Sequence, residues 1–182
     1  MSASGRDVRW GWHRLSGRWA EILVADAQVT PGTLVVDIGA GTGAVTAALV
    51  AAGAHVVAVE LHPGRAAHLR RRFAGQPVTV VRADATTLRL PRRPFRVVSN
   101  PPFSATTAIL RRLLAPGSRL VAADLVLPAW AARRWAAGRA PGAGRWARQY
   151  AADVGRPVPQ VAFTPPAPTP SRVLVIRGRS PT

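Results

Sequence analysis

Residues 33–60 read TLVVDIGAGTGAVTAALVAAGAHVVAVE, and this stretch decides the fold. Residues 33–38 form a continuous apolar run with no polar alternation, the pattern of a strand covered on both faces in a parallel sheet. Glycines follow at Gly39, Gly41 and Gly43. Residues 43–52 read as a helix closed by Gly53. His55–Glu60 is a second apolar strand. A strand, a glycine-rich turn, a helix and a parallel strand make one βαβ unit.

The same alternation continues outward. Pro63 opens a helix at its first turn, running to about Phe73. Val78–Arg82 and Phe95–Ser99 are two more strands. Residues 105–114 read as a helix and 119–127 as a strand. Pro128 opens a helix that carries Trp130, Arg133, Arg134 and Trp135. Upstream, residues 17–27 read as a short helix with Trp19, Ile22, Leu23 and Ala27 on one face, and Trp19 is assigned to the core. Downstream, residues 138–145 read as a flexible loop. Residues 148–154 and 172–176 read as a terminal antiparallel pair of strands, joined by a proline-rich stretch. The expected fold is α/β, a Rossmann-like, doubly wound, mostly parallel sheet.

The chain has 182 residues and is 48 % hydrophobic, enough for one full core. No apolar run reaches the roughly 18 residues that a membrane span needs. The first residues carry charge but no apolar stretch, so no signal peptide is read; the cytoplasm is the expected compartment. Cysteine is absent. That excludes disulfides, thiolate metal ligation and a cysteine nucleophile, and no metal site is expected. The 25 basic residues are all Arg and stand against 8 acidic ones, a net charge of +17. Such a surplus favours a polyanionic partner by counterion release.

The spacing D-x-G-x-G-x-G from Asp37 through Gly43 favours S-adenosylmethionine over a dinucleotide, whose fingerprint is G-x-G-x-x-G. Glycines let the loop turn sharply and approach the ligand. Glu60 ends the second strand and is placed to accept ribose hydroxyls. Asp84 ends the third strand and is placed to accept from the adenine amine of the cofactor, and Ala85 beside it, which leaves room for the ring, is counted with the cofactor-binding residues. The other reading of these acids is helix caps and solvated strand ends.

Asn100-Pro101-Pro102-Phe103 follows the strand FRVVS. An exocyclic amine on adenine is a poor nucleophile because its lone pair is delocalised into the ring. Two acceptors, the Asn100 side-chain oxygen and the Pro101 carbonyl, can bind its two N–H groups and aim the lone pair at a methyl donor. The prolines fix the turn. Phe103 offers a stacking face for a base drawn out of its helix. Phe163 is a candidate second stacking wall or a core aromatic. The cofactor loop and this turn together read as methyl transfer from S-adenosylmethionine to an amino nitrogen, on a class I methyltransferase fold. Arg9, Arg14, Arg133 and Arg134 lie among tryptophans and are the candidate RNA contacts. Arg70–Arg72 reads as a solvated face. The domain reading is a basic, aromatic arm over 1–18 and a single catalytic domain over 19–182. DNA adenine, a protein glutamine amide, or a non-catalytic assembly role on rRNA are the competing readings.

The segments VVDIGAGTG, VVAVELHP, RADATTLRLP, FRVVSNPPFSATTAILRRLL and FTPPAPTPSRVLVIR resemble, in order and spacing, the rRNA adenine N6-methyltransferases. That group includes the Erm macrolide-resistance enzymes and the small-subunit rRNA dimethyladenosine transferases. The resemblance covers about residues 10–178, and WGWHRL is similar to short actinobacterial Erm proteins. It implies methylation of an adenine in the peptidyl-transferase loop of 23S rRNA, with resistance to macrolides, lincosamides and streptogramin B. It implies that Gly39, Gly41, Glu60, Asp84 and Asn100 meet the cofactor, and that Asn100, Pro101, Phe103 and Phe163 hold the adenine. A monomer is expected. The chain departs from the family pattern in three places: no C-terminal helical domain is read, Trp10-Gly11-Trp12-His13 replaces Gln-Asn-Phe, and the motif after Phe163 is altered in register.

Overall fold

A computed structural model describes residues 13–179. In chain order the elements are β1 (Arg14–Leu15), α1 (Gly17–Asp26), β2 (Leu34–Ile38), α2 (Ala44–Ala51), β3 (His55–Glu60), α3 (Pro63–Arg72), β4 (Val78–Arg82), β5 (Phe95–Ser99), α4 (Thr106–Leu113), β6 (Leu120–Pro128), α5 (Ala129–Ala136), α6 (Ala143–Trp146), β7 (Tyr150–Val158), β8 (Phe163–Thr164) and β9 (Ser171–Gly178). Seven strands form one sheet in the order β4-β3-β2-β5-β6-β9-β7. The first five run parallel, and β9 runs antiparallel to both β6 and β7. This is the expected mostly parallel α/β sheet with an antiparallel end.

The unbroken apolar run of β2 is explained by its position. Val36 and Ile38 pack into one core, with Phe95, Leu110 and Leu125. Val35 packs into the core on the other face, with Leu49, Val98 and Val126. Both faces are covered, so a polar residue in the run needs a buried partner, as Asp37 has in Thr46.

Three regions differ from the sequence reading. The segment 138–145, expected as a loop, contains the start of α6. Trp146 is buried and packs on Trp135 with ring centroids 6.0 Å apart, and that anchor orders the turn. The proline-rich stretch holds a 3-10 turn over Gln160–Ala162 and the two-residue strand β8. β8 pairs antiparallel with β1, Arg14 opposite Thr164 and Leu15 opposite Phe163. Residues 14–18, expected in an arm, are therefore part of the folded domain. Trp19 is half-buried at the margin of the core, while Ala20, Leu23 and Val24 form the buried face of α1.

Candidate active site

The strand order turns at β2, which has β3 on one side and β5 on the other. In open α/β sheets ligands bind beyond the carboxyl ends of the strands at such a switch point. Val36 pairs with Val97, so continuing the register sets Gly39 beside Asn100. The contact is close: a Cβ on Gly39 would lie 2.9 Å from Cδ of Pro102. The glycine loop and the Asn-Pro-Pro-Phe turn are thus two walls of one crevice.

A cavity of about 340 Å³ opens there, bordered by Gly39, Glu60, Arg65, Asp84, Ala85 and Pro102. Four predicted cofactor residues, Gly39, Glu60, Asp84 and Ala85, therefore meet at one cleft of ordinary ligand size, about 300–1,000 Å³. Glu60 is buried and its carboxylate is held firmly. Oε2 accepts the Gly41 N–H at 2.9 Å. Oε1 accepts the His62 N–H at 2.8 Å and the Arg65 Nε–H at 3.1 Å, and Arg65 also forms an ion pair with it at 3.0 Å. Each carboxylate oxygen has two acceptor sites, so Oε2 keeps capacity for a further donor. Asp84 is exposed, and its Oδ1 accepts from the backbone N–H and the hydroxyl of Thr86, at 2.8 and 2.7 Å. These bonds hold its carboxyl below the usual carboxylate range.

Asp37 and Gly43 sit differently. Asp37 is fully buried beneath the loop and accepts a 2.7 Å bond from the Thr46 hydroxyl. Burial, opposed by that hydrogen bond and aided by the charge of Glu60, pushes its pKa up to about 7. A carboxyl whose folded pKa is raised contributes stability below its unfolded value near 3.8 and loses it as pH rises toward 7. Asp37→Asn is therefore expected to raise the melting temperature at pH 8 relative to wild type, with the gain vanishing near pH 4. Thermal melts across that range check it, and an equal shift at both ends would refute the assignment. Gly43 has φ +89°, and a Cβ there would lie 2.7 Å from Phe73 and 2.9 Å from Leu69. Its glycine is explained by the packing of α2 against α3, and its place in the cofactor set by sequence alone has no counterpart among the residues that border the cavity.

The turn at Asn100 is fixed by contacts from distant segments. Asn100 Nδ2–H donates to the His13 carbonyl at 2.7 Å, which fixes the amide. Its Oδ1 is buried with no partner among the described residues. Phe103 is half-buried, with the His13 ring 6.0 Å away and Phe163 edge-on at 6.4 Å. Phe163 itself is buried. It stands behind Phe103 as a support, with no open face of its own. His13, whose Nδ1 lies 3.2 Å from the Pro165 carbonyl, links the two ends of the chain over the turn. Sequence reading missed His13 because its contribution to Asn100 is a main-chain carbonyl, which any residue type could supply.

The predicted RNA contacts are dispersed. Arg9 lies outside the described residues. Arg14 borders a small cavity together with Asp37, Gly39, Gly41 and Asn100, placing it at the glycine loop. Arg133 and Arg134 are exposed on α5. That helix starts where β6 reaches the carboxyl edge, beside Trp130, which is 63 % exposed. Among the described residues no group of three or more His, Cys, Asp or Glu side chains could hold a metal ion, and no helix is long and apolar enough to cross a membrane.

Residues 18–175 match the family profile described as ribosomal RNA adenine dimethylase. The chain belongs to the ribosomal RNA adenine dimethylase family. Within reach of that family it is similar to the mycinamicin-resistance protein MyrB of Micromonospora griseorubida, 45 % identical over 104 residues, covering 57 % of this chain and 32 % of that one. It is also similar to the ribosomal RNA small subunit methyltransferase A of a Synechococcus strain, 39 % identical over 112 residues, covering 58 % of this chain and 40 % of that one. The matches thus span about a third to two fifths of those relatives. Among solved structures the 23S rRNA methyltransferase ErmE superposes with a TM-score of 0.79 at 25 % identity, over 93 % of this chain and 70 % of that one. A dimethyladenosine transferase from Plasmodium falciparum superposes with a TM-score of 0.78 at 18 % identity, over 92 % and 64 %, a likeness of fold. S-adenosylmethionine is the cofactor of this dimethylase family.

Proposed function

We propose that this protein transfers a methyl group from S-adenosylmethionine to the N6 amine of an adenine in ribosomal RNA, and that the adenine lies in the peptidyl-transferase loop of 23S rRNA. The observation that carries the chemistry is the buried, unpartnered Oδ1 of Asn100 at the cofactor crevice. An orphaned buried acceptor is costly unless a donor arrives, and an exocyclic amine supplies one. The likeness to MyrB and ErmE supports the 23S target and a role in resistance to macrolides, lincosamides and streptogramin B.

The residues present fit the cofactor. Glu60, through the spare capacity of Oε2, would take a ribose hydroxyl. Asp84 would accept from the adenine amine. Gly39 and Gly41 would let the chain pass close to the ligand. Arg14, beside the same loop, would pair with the carboxylate of the methionine end. The bound cofactor supplies a methyl already activated on a sulfonium. The protein's part is therefore positioning. Asn100 and the Pro101 carbonyl hold the two amine hydrogens, and Phe103, braced by His13 and Phe163, stacks on the base. No general base is required beyond solvent, since the proton leaves after methylation raises its acidity. A cytoplasmic monomer is the form proposed.

The test is methylation of separate 23S and 16S transcripts with labelled cofactor, mapped by primer extension. A stop in the peptidyl-transferase loop is the expected result. Label on the 16S transcript alone would move the protein to the small-subunit branch, and label on neither would refute the rRNA reading.

A further inference from the structure

At the amino edge of the sheet, opposite the crevice, three arginines converge from separate segments. Arg92 comes from the loop before β5, Arg112 from the last turn of α4, and Arg119 from the entry to β6. They border a cavity of about 430 Å³ with Ser118 and the turn at Gly117, and among the described residues no acid lines it. Arg92 and Arg119 are exposed. Arg112 is held in place by donating from Nε to the Leu88 carbonyl.

The fold accounts for Arg112 through that bond, and gives no such bond for Arg92 or Arg119 among the described contacts. Elsewhere the half-buried Arg65, Arg96 and Arg177 each face an acid, as where Arg177 donates to Asp124 through two bonds of 2.9 and 2.8 Å. Here like charges face one concavity, and among the described residues no acid pairs with them. Guanidinium forks of this kind suit phosphate oxygens. The concavity is also continuous with the active site along one element. α4 follows the turn at Phe103, and its 8 residues span about 12 Å at 1.5 Å each. Ala108 borders the cofactor cavity. Arg111 and Arg112 lie three and four residues on, on the same face.

Resting on the rRNA reading above, we infer that Arg92, Arg112 and Arg119 form a second RNA site. It binds backbone phosphates of a strand that runs from the target adenine along α4 to the amino edge of the sheet. The site carries affinity and register without sequence information, as phosphate contacts do.

The experiment compares the full chain with Arg92→Gln/Arg119→Gln, and with Arg92→Gln alone should the double variant fold poorly. Binding is measured against salt on two RNAs of equal length, the peptidyl-transferase-loop transcript and an unrelated sequence. Removing two phosphate contacts is expected to reduce the slope of log affinity against log salt by about 1.4–1.8 on both RNAs, or about half that for the single variant, and to weaken binding roughly 10- to 100-fold at 50 mM salt. Cofactor affinity and the rate at saturating RNA stay unchanged. An unchanged slope overturns the inference whatever the methylation result. A reduced slope with no methylation of the transcript by wild type upholds this site and removes the proposed target instead. Failure of wild type to bind either RNA overturns both.

Discussion

Asn100→Ala is expected to lower kcat by about 100- to 1,000-fold, the range seen when a single preorganised hydrogen-bonding group is removed from an active site, with cofactor affinity changed only a few-fold. Asn100 has two separate duties. Nδ2 holds the His13 carbonyl, and Oδ1 waits buried for a donor. Alanine removes both, so the loss combines a missing acceptor with a loosened wall. Asn100→Asp separates them, because it retains an acceptor toward the amine but sets a carboxylate oxygen against the His13 carbonyl. It is expected to fall between alanine and wild type. Single-turnover methylation with calorimetric cofactor titration reads both quantities. A rate for alanine within threefold of wild type would remove Asn100 from the reaction.

The second large effect is expected at Gly39→Ala. Gly39 has φ +75°, and the added Cβ would meet Pro102 Cδ at 2.9 Å. The left-handed backbone alone costs an alanine about 1–2 kcal/mol. The clash adds displacement of the turn that carries Asn100 and Phe103. Because one residue touches both walls of the crevice, cofactor affinity and kcat are expected to fall together, each about tenfold or more, since a misplacement near 1 Å can cost about 100-fold. Gly32→Ala is the control. It has φ +78° but nothing within 4 Å of the added Cβ, so it carries the backbone cost without the clash. Both variants should melt several degrees lower, at about 2–4 °C per kcal/mol for a chain of this size. Equal kinetic losses in the two would mean that general destabilisation, and no contact with Pro102, sets the effect.

What could be read in advance was the part written in local pattern. The apolar run of β2, the glycines after it and the acids at the ends of β3 and β4 needed only neighbours a few residues away. The Asn-Pro-Pro-Phe turn is a local run of residue types, so its place after β5 was legible too. The rest depends on contacts between distant segments. β1 and β8 have two residues each, too short for any periodicity to show. Gly43 completes the glycine spacing, and what that spacing could not show is that its Cα lies against Leu69 of α3 and Phe73 just beyond it. Arg14 was grouped with the RNA contacts by its basic, aromatic surroundings in sequence, and pairing with Thr164 carries it to the glycine loop. The burial of Phe163 follows from the same pairing, since Leu15 opposite it closes the core beneath Phe103.

The clasp between β1 and β8 joins residues as much as 152 positions apart, through His13 and Pro165. A contact of that span forms after the nearby βαβ units, because closing so long a loop is entropically demanding. During synthesis the glycine loop and the Asn100 turn emerge early, but the brace behind Phe103 and the pairing partner of β1 emerge among the last residues of the domain. Until residues 163–165 have been made, the turn that carries Asn100 therefore lacks both the brace behind Phe103 and the strand that pairs with β1.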